Sequence, residues 1–187
     1  GRGIEEQDNL EIAENLAKAM GADLSCSRPI VDAKWLEKSR QVGTSGQTVS
    51  PKVYLACGIS GSFQHMGGIK GAPFIIAINK NPKAPIFQVA DVGVVADILE
   101  FLPELTEAVR AMLSEWLKDP GGMAQALGLD EDQIKQMTPD ELVEHFLKLL
   151  REQTEAHHGG NRWIGSRGTS PTGHSGHHSG GMRVGGE

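Results

Sequence analysis

The chain contains 187 residues and has a formal net charge of −6, with 18 lysines and arginines against 24 aspartates and glutamates. This acidic balance, without any cluster of basic residues, excludes nonspecific nucleic-acid binding, because phosphate backbones are bound by clustered Lys and Arg. Cys26 and Cys57 form neither a disulfide framework nor a CxxC pair, and no apolar run approaches the ~20 residues that span a bilayer. We expect a reducing compartment, no membrane insertion and no nucleic-acid partner.

Three segments differ in composition. Residues 1–105 mix apolar runs with ten basic and twelve acidic residues, whereas 106–150 contain four basic and nine acidic residues. Residues 151–187 are dominated by Gly, Ser and His. The first segment can bury a core, and the last has the composition of a segment that does not fold alone.

Helices are predicted near the start of the chain. Gly1-Arg2-Gly3 resembles a turn that follows a strand, so we expect a strand before residue 1. Apolar residues recur at helical spacing from Glu5 to Met20, and a second, shorter helical stretch runs through Trp35 and Leu36. The glycines and hydroxyls of the next segment, 41–46, predict a loop.

Three short apolar runs then predict buried parallel strands, at Val53–Cys57, Phe74–Ile78 and Ile86–Ala90. A tight turn, Gly58-Ile59-Ser60-Gly61, opens a short helix over 62–67. A further apolar helical face lies between Gly93 and Leu102 and is expected to end at Pro103. Alternating strands and helices indicate an α/β layered fold.

After Pro103 the pattern predicts helices and no further strand. One apolar stripe runs from Val109 to Leu117, and Asp119-Pro120-Gly121-Gly122 ends it. Thr138-Pro139-Asp140-Glu141 is typical of a helix start, and that helix should run to about Ala156. We expect a flexible Gly/Ser/His-rich tail over 158–187.

The turn at 58–61 is a candidate anion site, because a strand-to-helix turn presents unpaired backbone N–H groups. It is not the GxGxxG fingerprint, and simple chain reversal is the alternative. His65 follows within the same short helix and could donate to a ligand or could pack against its neighbours. Five further histidines, His157, His158, His174, His177 and His178, lack interleaved ligands, so we predict no metal site.

Several of these motifs together resemble one family, the FAD domain of electron-transfer flavoprotein alpha subunits. The residues that carry the resemblance are Gly1-Arg2-Gly3, Ser27-Arg28-Pro29, Gln41-Val42-Gly43-Thr44-Ser45-Gly46, Tyr54 with Gly58-Ile59-Ser60-Gly61 and Gln64-His65, Ala77-Ile78-Asn79-Lys80, and Ala84-Pro85-Ile86-Phe87 with Ala90-Asp91. The resemblance covers residues 1 to about 107.

The resemblance implies a Rossmann-like parallel sheet, truncated at its amino end, that binds FAD at the carboxyl ends of the strands. The residues that it implies as cofactor ligands are Arg2, Ser27, Arg28, Val42, Gly43, Thr44, Ser45, Ser60, Gly61, Ser62, Phe63, Gln64, His65, Asn79, Asp97 and Ile98. Asn79 and Asp97 match positions near the adenosine half, and the turn at 58–61 matches the phosphate site.

The loop Val42–Ser45 matches the segment that lies against the isoalloxazine ring, where Ser45 would donate toward N5 and His65 toward O2. Arg28 matches an arginine near the ring. Reduced flavin carries negative charge around its N1–O2 edge, so donors or cations there raise its potential. Thr44-Ser45 stands where Gln-Thr is commoner, and Asn81 where aspartate is common.

The implied function is that of a cytoplasmic bacterial electron carrier rather than a catalyst with its own substrate. Its implied partners are a beta subunit in a heterodimer, dehydrogenases that donate electrons, and a quinone-linked acceptor. Two alternatives stay open: a protein-interaction module or a fragment without function, and a nicotinamide-dependent enzyme, which the absent glycine fingerprint and acid–base pair disfavour.

Residues from about 108 onward do not share that resemblance. They are similar to the segment that precedes the von Willebrand factor A domain in some uncharacterised bacterial proteins. We therefore divide the chain into an FAD-binding domain at 1–107, a helical segment at 108–157 and a flexible tail at 158–187.

Overall fold

One parallel sheet forms the centre of the molecule. The computed structural model describes residues 1–158 and 162–165. Its strands, hydrogen-bonded in chain order, are β1 (Val53–Cys57), β2 (Phe74–Asn79), β3 (Val92–Val95) and β4 (Arg162–Gly165). The α/β architecture predicted from the alternation of strands and helices is confirmed.

Helices flank this sheet and make up most of the second half of the chain. They are α1 (Leu10–Met20), α2 (Arg28–Asp32), α3 (Phe63–Met66), α4 (Ile98–Lys118), α5 (Pro120–Leu127), α6 (Glu131–Gln136) and α7 (Pro139–His158), and short 3₁₀ turns cover Arg2–Ile4, Gln7–Asn9, Lys38–Arg40 and Pro85–Gln88. Along the described ranges, no helix combines the length and apolar character that crossing a membrane requires.

Alternation along the buried strands builds a core on each face of the sheet. Ile78 and Val94 point to one face and pack with α1 and α4 side chains such as Leu16 and Leu102. The opposite face holds a second cluster, whose buried members include Tyr54, Ala56, Ile75, Ala77, Ile86 and Phe87. Each fully buried Ile, Leu or Phe contributes about 1.5–3 kcal/mol relative to an exposed position.

The third predicted strand was misplaced. Ile86–Ala90 does not form a strand, because Pro85 starts a 3₁₀ turn and the Ala90 N–H returns to the Ile86 carbonyl at 3.1 Å. The strand β3 follows it, with Val92 opposite Ile76 on β2. Both runs are short and apolar, and pattern alone does not say which of them pairs.

Both ends of the helix predicted between Gly93 and Leu102 were wrong. Gly93 belongs to β3, and α4 begins at Ile98, where the Asp97 carboxylate accepts the Leu99 N–H at 2.9 Å. Pro103 does not end the helix, although it has no N–H to donate to the preceding turn. Residues on both sides of Pro103 are buried, and their packing keeps α4 continuous past the proline.

The short second helix lies earlier than expected. It spans Arg28–Asp32, whereas Trp35 and Leu36 lie in the turn that follows. Lys34 takes a left-handed backbone conformation with φ of 61°, and the chain cannot continue as a helix through it.

A strand also occurs where none was expected. Arg162–Gly165 pairs in parallel with β3, with Val92 opposite Arg162. Trp and Ile favour strands, and the free edge of β3 offers them unpaired backbone groups. The rest of the predicted flexible tail, with His174, His177 and His178, lies outside the described residues.

The C-terminal helices pack against the amino ends of β1 and β2. Lys52 Nζ on the approach to β1 lies 3.0 Å from Asp140 of α7. Arg151 of α7 donates to the Ala72 carbonyl at 3.3 Å, and its guanidinium lies 5.7 Å from the centre of the Phe74 ring. The domain boundary predicted at 107 falls inside α4 and stays a prediction.

Candidate functional site

The carboxyl ends of the strands converge on the turn at 58–61. The Asn79 side chain at the end of β2 donates to the Ile59 carbonyl at 3.0 Å and so braces the turn that follows β1. The Ile86 N–H donates to the Ser60 carbonyl at 2.8 Å. Gly61 has a φ of +84°, and a Cβ there would lie 2.6 Å from the Ile86 nitrogen. The turn is therefore held in one conformation from two sides.

A cleft of about 290 Å³ lies on one side of this turn. Four of the predicted ligand residues line it, namely Arg2, Asn79, Asp97 and Ile98. Asp97 caps α4 and Asn79 braces the turn, so both side chains are fixed by their own hydrogen bonds. Arg2 is exposed and places a cation at the cleft.

The loop at 42–45 lies against α3. The Thr44 N–H donates to the Gln64 carbonyl at 2.8 Å. Gly43 allows this approach, since a Cβ on it would lie only 2.9 Å from the Gln64 carbonyl oxygen. The loop Val42–Ser45 and the segment Ser60–His65, predicted as separate parts of one site, are thus in contact.

Ser45 is oriented by Gln41, which lies outside the predicted ligand set. The Gln41 side chain is only 4% exposed, and its Nε2 donates to Ser45 Oγ at 2.8 Å. Because Ser45 Oγ accepts that hydrogen bond, its own proton is directed elsewhere. Ser45 is exposed, so a ligand can reach this donor.

His65 is a buried polar residue of the site. It is 5% exposed, and its Nε2 lies 2.6 Å from the hydroxyl oxygen of Tyr54, which is 7% exposed. The other ring nitrogen, Nδ1, is buried and has no hydrogen-bond partner among the described residues. A buried polar atom without a partner costs about 1–3 kcal/mol.

Burial keeps this pair neutral. It lowers the pKa of His65 below its ordinary value of 6.5, an effect that the Val42 backbone carbonyl opposes without reaching hydrogen-bond geometry at Nδ1. Burial also raises the pKa of Tyr54 to about 12. Near pH 7 the phenol therefore keeps its proton and the imidazole is mainly uncharged.

Backbone pairing of the preceding residue, Cys26, places Ser27 and Arg28 beside the loop at 42–45. The Val42 N–H donates to the Cys26 carbonyl at 2.9 Å, so the next residues start α2 next to the loop. Arg28 forms an exposed ion pair with Asp32 at 3.4 Å, within its own helix. The structure does not bring its guanidinium to His65 or Ser45, and its predicted position near a ring stays a prediction.

The exposed part of the turn and α3 presents Ser60, Ser62, Phe63 and Gln64 to solvent. Phe63 is 86% exposed. Ser62 Oγ accepts the His65 N–H at 3.4 Å and caps the short helix. Of these residues, none contacts the cleft that holds Arg2 and Asp97.

A larger cavity of about 630 Å³ lies between α1 and β1. Its lining is mostly apolar, with Leu16, Leu24 and Leu102 among its residues. Of the predicted ligand residues, only Ile98 contributes to it. The polar groups of the site are elsewhere, so we do not place the predicted ligand there.

Comparison with known proteins matches residues 1–70 to one family, described as the electron transfer flavoprotein FAD-binding domain. The chain is 52% identical over 118 residues to protein FixB of Azotobacter vinelandii, which covers 63% of this chain and 33% of that protein. It is 46% identical over 119 residues to protein FixB of Azorhizobium caulinodans, which covers 64% of this chain and 32% of that protein.

The chain thus spans about a third of the length of the curated relatives it matches. The resemblance predicted from the motifs is confirmed for residues 1–70. The similarity of residues 108–187 to the segment before an A domain stays a prediction.

Proposed function

We propose that residues 1–107 bind FAD and serve as the flavin-holding part of an electron carrier. The observation that carries this proposal is the contact of the loop Val42–Ser45 with the segment Ser60–His65, inside the region that matches the FAD-binding domain. The cleft with Arg2, Asn79 and Asp97 adjoins the same turn. One extended dinucleotide would bind with one end in the cleft and the other end against the loop.

The adenosine half is assigned to the cleft. Its walls supply an amide from Asn79, a carboxylate from Asp97 and a cation from Arg2. Amide and carboxylate oxygens accept hydrogen bonds from hydroxyls, and a guanidinium binds phosphate oxygens. The exposed hydroxyls of Ser60 and Ser62, at the turn between the cleft and the loop, are assigned to the phosphates.

The ring of the flavin is assigned to the loop and to His65. Ser45 offers an oriented hydroxyl donor, and the unpartnered Nδ1 of His65 is a buried polar atom whose hydrogen bond a ligand would complete. Thr44 and Gly43 are held by α3 and keep the loop backbone in place. The residues present therefore fit a flavin, which when bound supplies the capacity to store and release electrons.

The protein residues have a narrow task in this proposal: they bind the cofactor, fix its orientation and set the polarity around its ring. Donors near the N1–O2 edge stabilise negative charge there and raise the potential. No side chain of the site is required to form or break a covalent bond. The proposed role is therefore electron transfer and not catalysis on a separate substrate.

The partners belong to the proposal as well. We infer a heterodimer with a beta subunit, dehydrogenases as electron donors and a quinone-linked acceptor. These follow from the family that residues 1–70 match. Phe63 and the exposed Ser60–Gln64 surface stand next to the assigned ring and are available to a second subunit.

Titration of the purified chain with FAD, followed by flavin absorbance and fluorescence, tests the proposal. We expect His65→Ala to weaken FAD binding by about 5- to 100-fold, because it removes one buried hydrogen-bonding group. His145→Ala is the matched control. It removes an imidazole that lies 2.9 Å from the Leu127 carbonyl in the C-terminal helices, outside the site.

Binding by the wild-type chain and by His145→Ala, with loss in His65→Ala, would support the assignment. Equal affinity in all three proteins would place the flavin elsewhere. A wild-type chain that remains folded but binds no FAD would overturn the proposal and favour a protein-interaction role.

A further inference from the structure

We propose that Tyr54 is a positioning residue for His65: its hydroxyl donates to Nε2, which places the imidazole proton on Nδ1. The purpose of this hydrogen bond rests on the proposed function. The tautomer of His65 does not, because it is a property of the chain without cofactor. It assigns a role to a strand residue that lies outside the predicted ligand set.

The geometry leaves few arrangements for this pair. Tyr54 lies on β1 and His65 on α3, and burial of both side chains removes competing water. Burial raises the pKa of Tyr54 and the Ser25 hydroxyl lowers it, as a donor to the phenol oxygen does, which leaves the phenol proton for His65. Their polar atoms are 2.6 Å apart, a distance at which one hydrogen must lie between them. The ring centroids are 6.0 Å apart and the ring planes are tilted by 51°, so the two rings are not stacked face to face.

The direction of that hydrogen bond follows from the chemistry of the two groups. A phenol is a better donor than a neutral imidazole N–H, and an unprotonated imidazole nitrogen is a better acceptor than a phenol oxygen. A neutral imidazole carries one proton, so a nitrogen that accepts from Tyr54 leaves the proton on the other nitrogen. The high pKa of Tyr54 keeps its hydroxyl protonated across the physiological range.

The consequence concerns what His65 can offer to a ligand. Nδ1 makes no hydrogen bond within the described residues, and the Val42 carbonyl favours a proton on the imidazole, so Nδ1 can donate to a ligand in the site. A donor suits an acceptor atom that gains negative charge, such as a carbonyl oxygen of a reduced flavin ring. The opposite tautomer would present a lone pair at Nδ1 and would repel the same atom.

Heteronuclear NMR of the full chain labelled with ¹⁵N-histidine tests the assignment without any cofactor. Each ring nitrogen reports by its chemical shift whether it carries a proton, and a His65→Gln sample identifies the His65 signals. In the wild-type chain we expect a protonated Nδ1 and an unprotonated Nε2 for His65. In Tyr54→Phe, which keeps the aromatic ring but removes the hydroxyl, we expect a mixture of both tautomers.

A proton on Nε2 in the wild-type chain, or the same tautomer in wild type and Tyr54→Phe, would overturn the proposal. The signals of His145 in the same spectra should not change and provide the internal control. Backbone amide spectra show that Tyr54→Phe is folded, which separates an altered tautomer from an altered structure.

A second measurement keeps this inference distinct from the proposed function. FAD titration of Tyr54→Phe should give a dissociation constant about 3- to 10-fold higher than that of the wild-type chain, the effect of one weakened hydrogen bond. Unchanged affinity despite an altered tautomer would overturn the purpose assigned to Tyr54. If the wild-type chain binds no FAD but shows the expected tautomers, the proposed function is overturned. The assignment of the Tyr54–His65 hydrogen bond then still holds.

Discussion

The buried imidazole of His65 makes the stability of the fold depend on pH. Its pKa in the folded protein lies below the ordinary value of 6.5 because burial disfavours the charged form. Between these two pKa values the unfolded chain binds more protons than the folded chain, so stability rises with pH through this window. The stability that the neutral His65 contributes is fully present above pH 6.5. It is lost as the pH falls toward the pKa of His65 in the folded protein.

Urea unfolding of wild type and His65→Gln at a series of pH values measures this effect. We expect the free energy of unfolding of the wild-type chain to fall more steeply than that of His65→Gln as the pH decreases below 6.5. The two proteins differ only at residue 65, so the difference between the two curves isolates His65. Parallel curves through that window would contradict a depressed pKa at this residue.

The position of Asn79 could be predicted from its place at the end of a strand. Asn79 is the last residue of β2, and the carboxyl ends of neighbouring parallel strands lie at one edge of a sheet. Its approach to the turn at 58–61 could therefore be expected, whereas the predicted helix from Gly93 placed Asp97 within a helix and not at its cap. Tyr54 and Gln41 belong to motifs that carry the resemblance but were not predicted as ligands, because their contacts with His65 and Ser45 depend on the tertiary fold. The signal for Tyr54 was a phenol within a buried strand, where its hydroxyl requires a partner.

At the scale of elements, α4 shows how packing overrides a local preference. Pro103 lies in the sixth position of the helix and its side chain is exposed. Ile98 and Leu102 are almost fully buried against the sheet and α1, and Thr106 donates its hydroxyl proton to the Leu102 carbonyl at 2.8 Å. Burial of these residues outweighs the hydrogen bond that Pro103 cannot make.

Replacement of Pro103 should therefore stabilise the protein. We expect Pro103→Ala to raise the free energy of unfolding by about 1–3 kcal/mol, because alanine restores the helical hydrogen bond to Leu99 and removes the ring. Chemical denaturation followed by circular dichroism measures it. Glu104→Ala, at the next exposed position, is the control and should change stability by less than about 0.5 kcal/mol. A destabilised Pro103→Ala would contradict this account of α4.

The positions of β3 and β4 could not be predicted from the apolar pattern of the sequence. The runs at 86–90 and 92–95 are both short and apolar, and the choice between them depends on the 3₁₀ turn that begins at Pro85. The strand at 162–165 could not be expected from a Gly-rich surrounding, because its support comes from the edge of β3, far away along the chain. Register across a sheet is a tertiary property, and the sequence of one strand does not contain it.

At the scale of the whole molecule, the C-terminal helices and the proposed flavin site lie at opposite ends of the sheet. α7 meets the segments that lead into β1 and β2, whereas the cleft and the loop lie at the strands' carboxyl ends. Lys52 and Asp140 form an exposed ion pair there, which contributes about 0–1 kcal/mol. Arg151 adds a hydrogen bond to the Ala72 carbonyl and a cation over the Phe74 ring, and Leu147 of the same helix is buried.

Arg151→Ala should therefore loosen α7 without altering the flavin site. It removes the cation over the Phe74 ring and the hydrogen bond to the Ala72 carbonyl, and each such contact contributes about 0.5–1.5 kcal/mol. We expect amide hydrogen exchange in 139–152 to accelerate by about 5- to 30-fold, whereas exchange in β2 and the affinity for FAD should stay at wild-type values. Lys135→Ala, which removes an exposed cation from α6, is the control and should leave α7 unchanged. Equal acceleration in α7 and β2 would mean that the sheet and the C-terminal helices unfold as one unit. In that case the boundary predicted at 107 would not separate two independently stable parts.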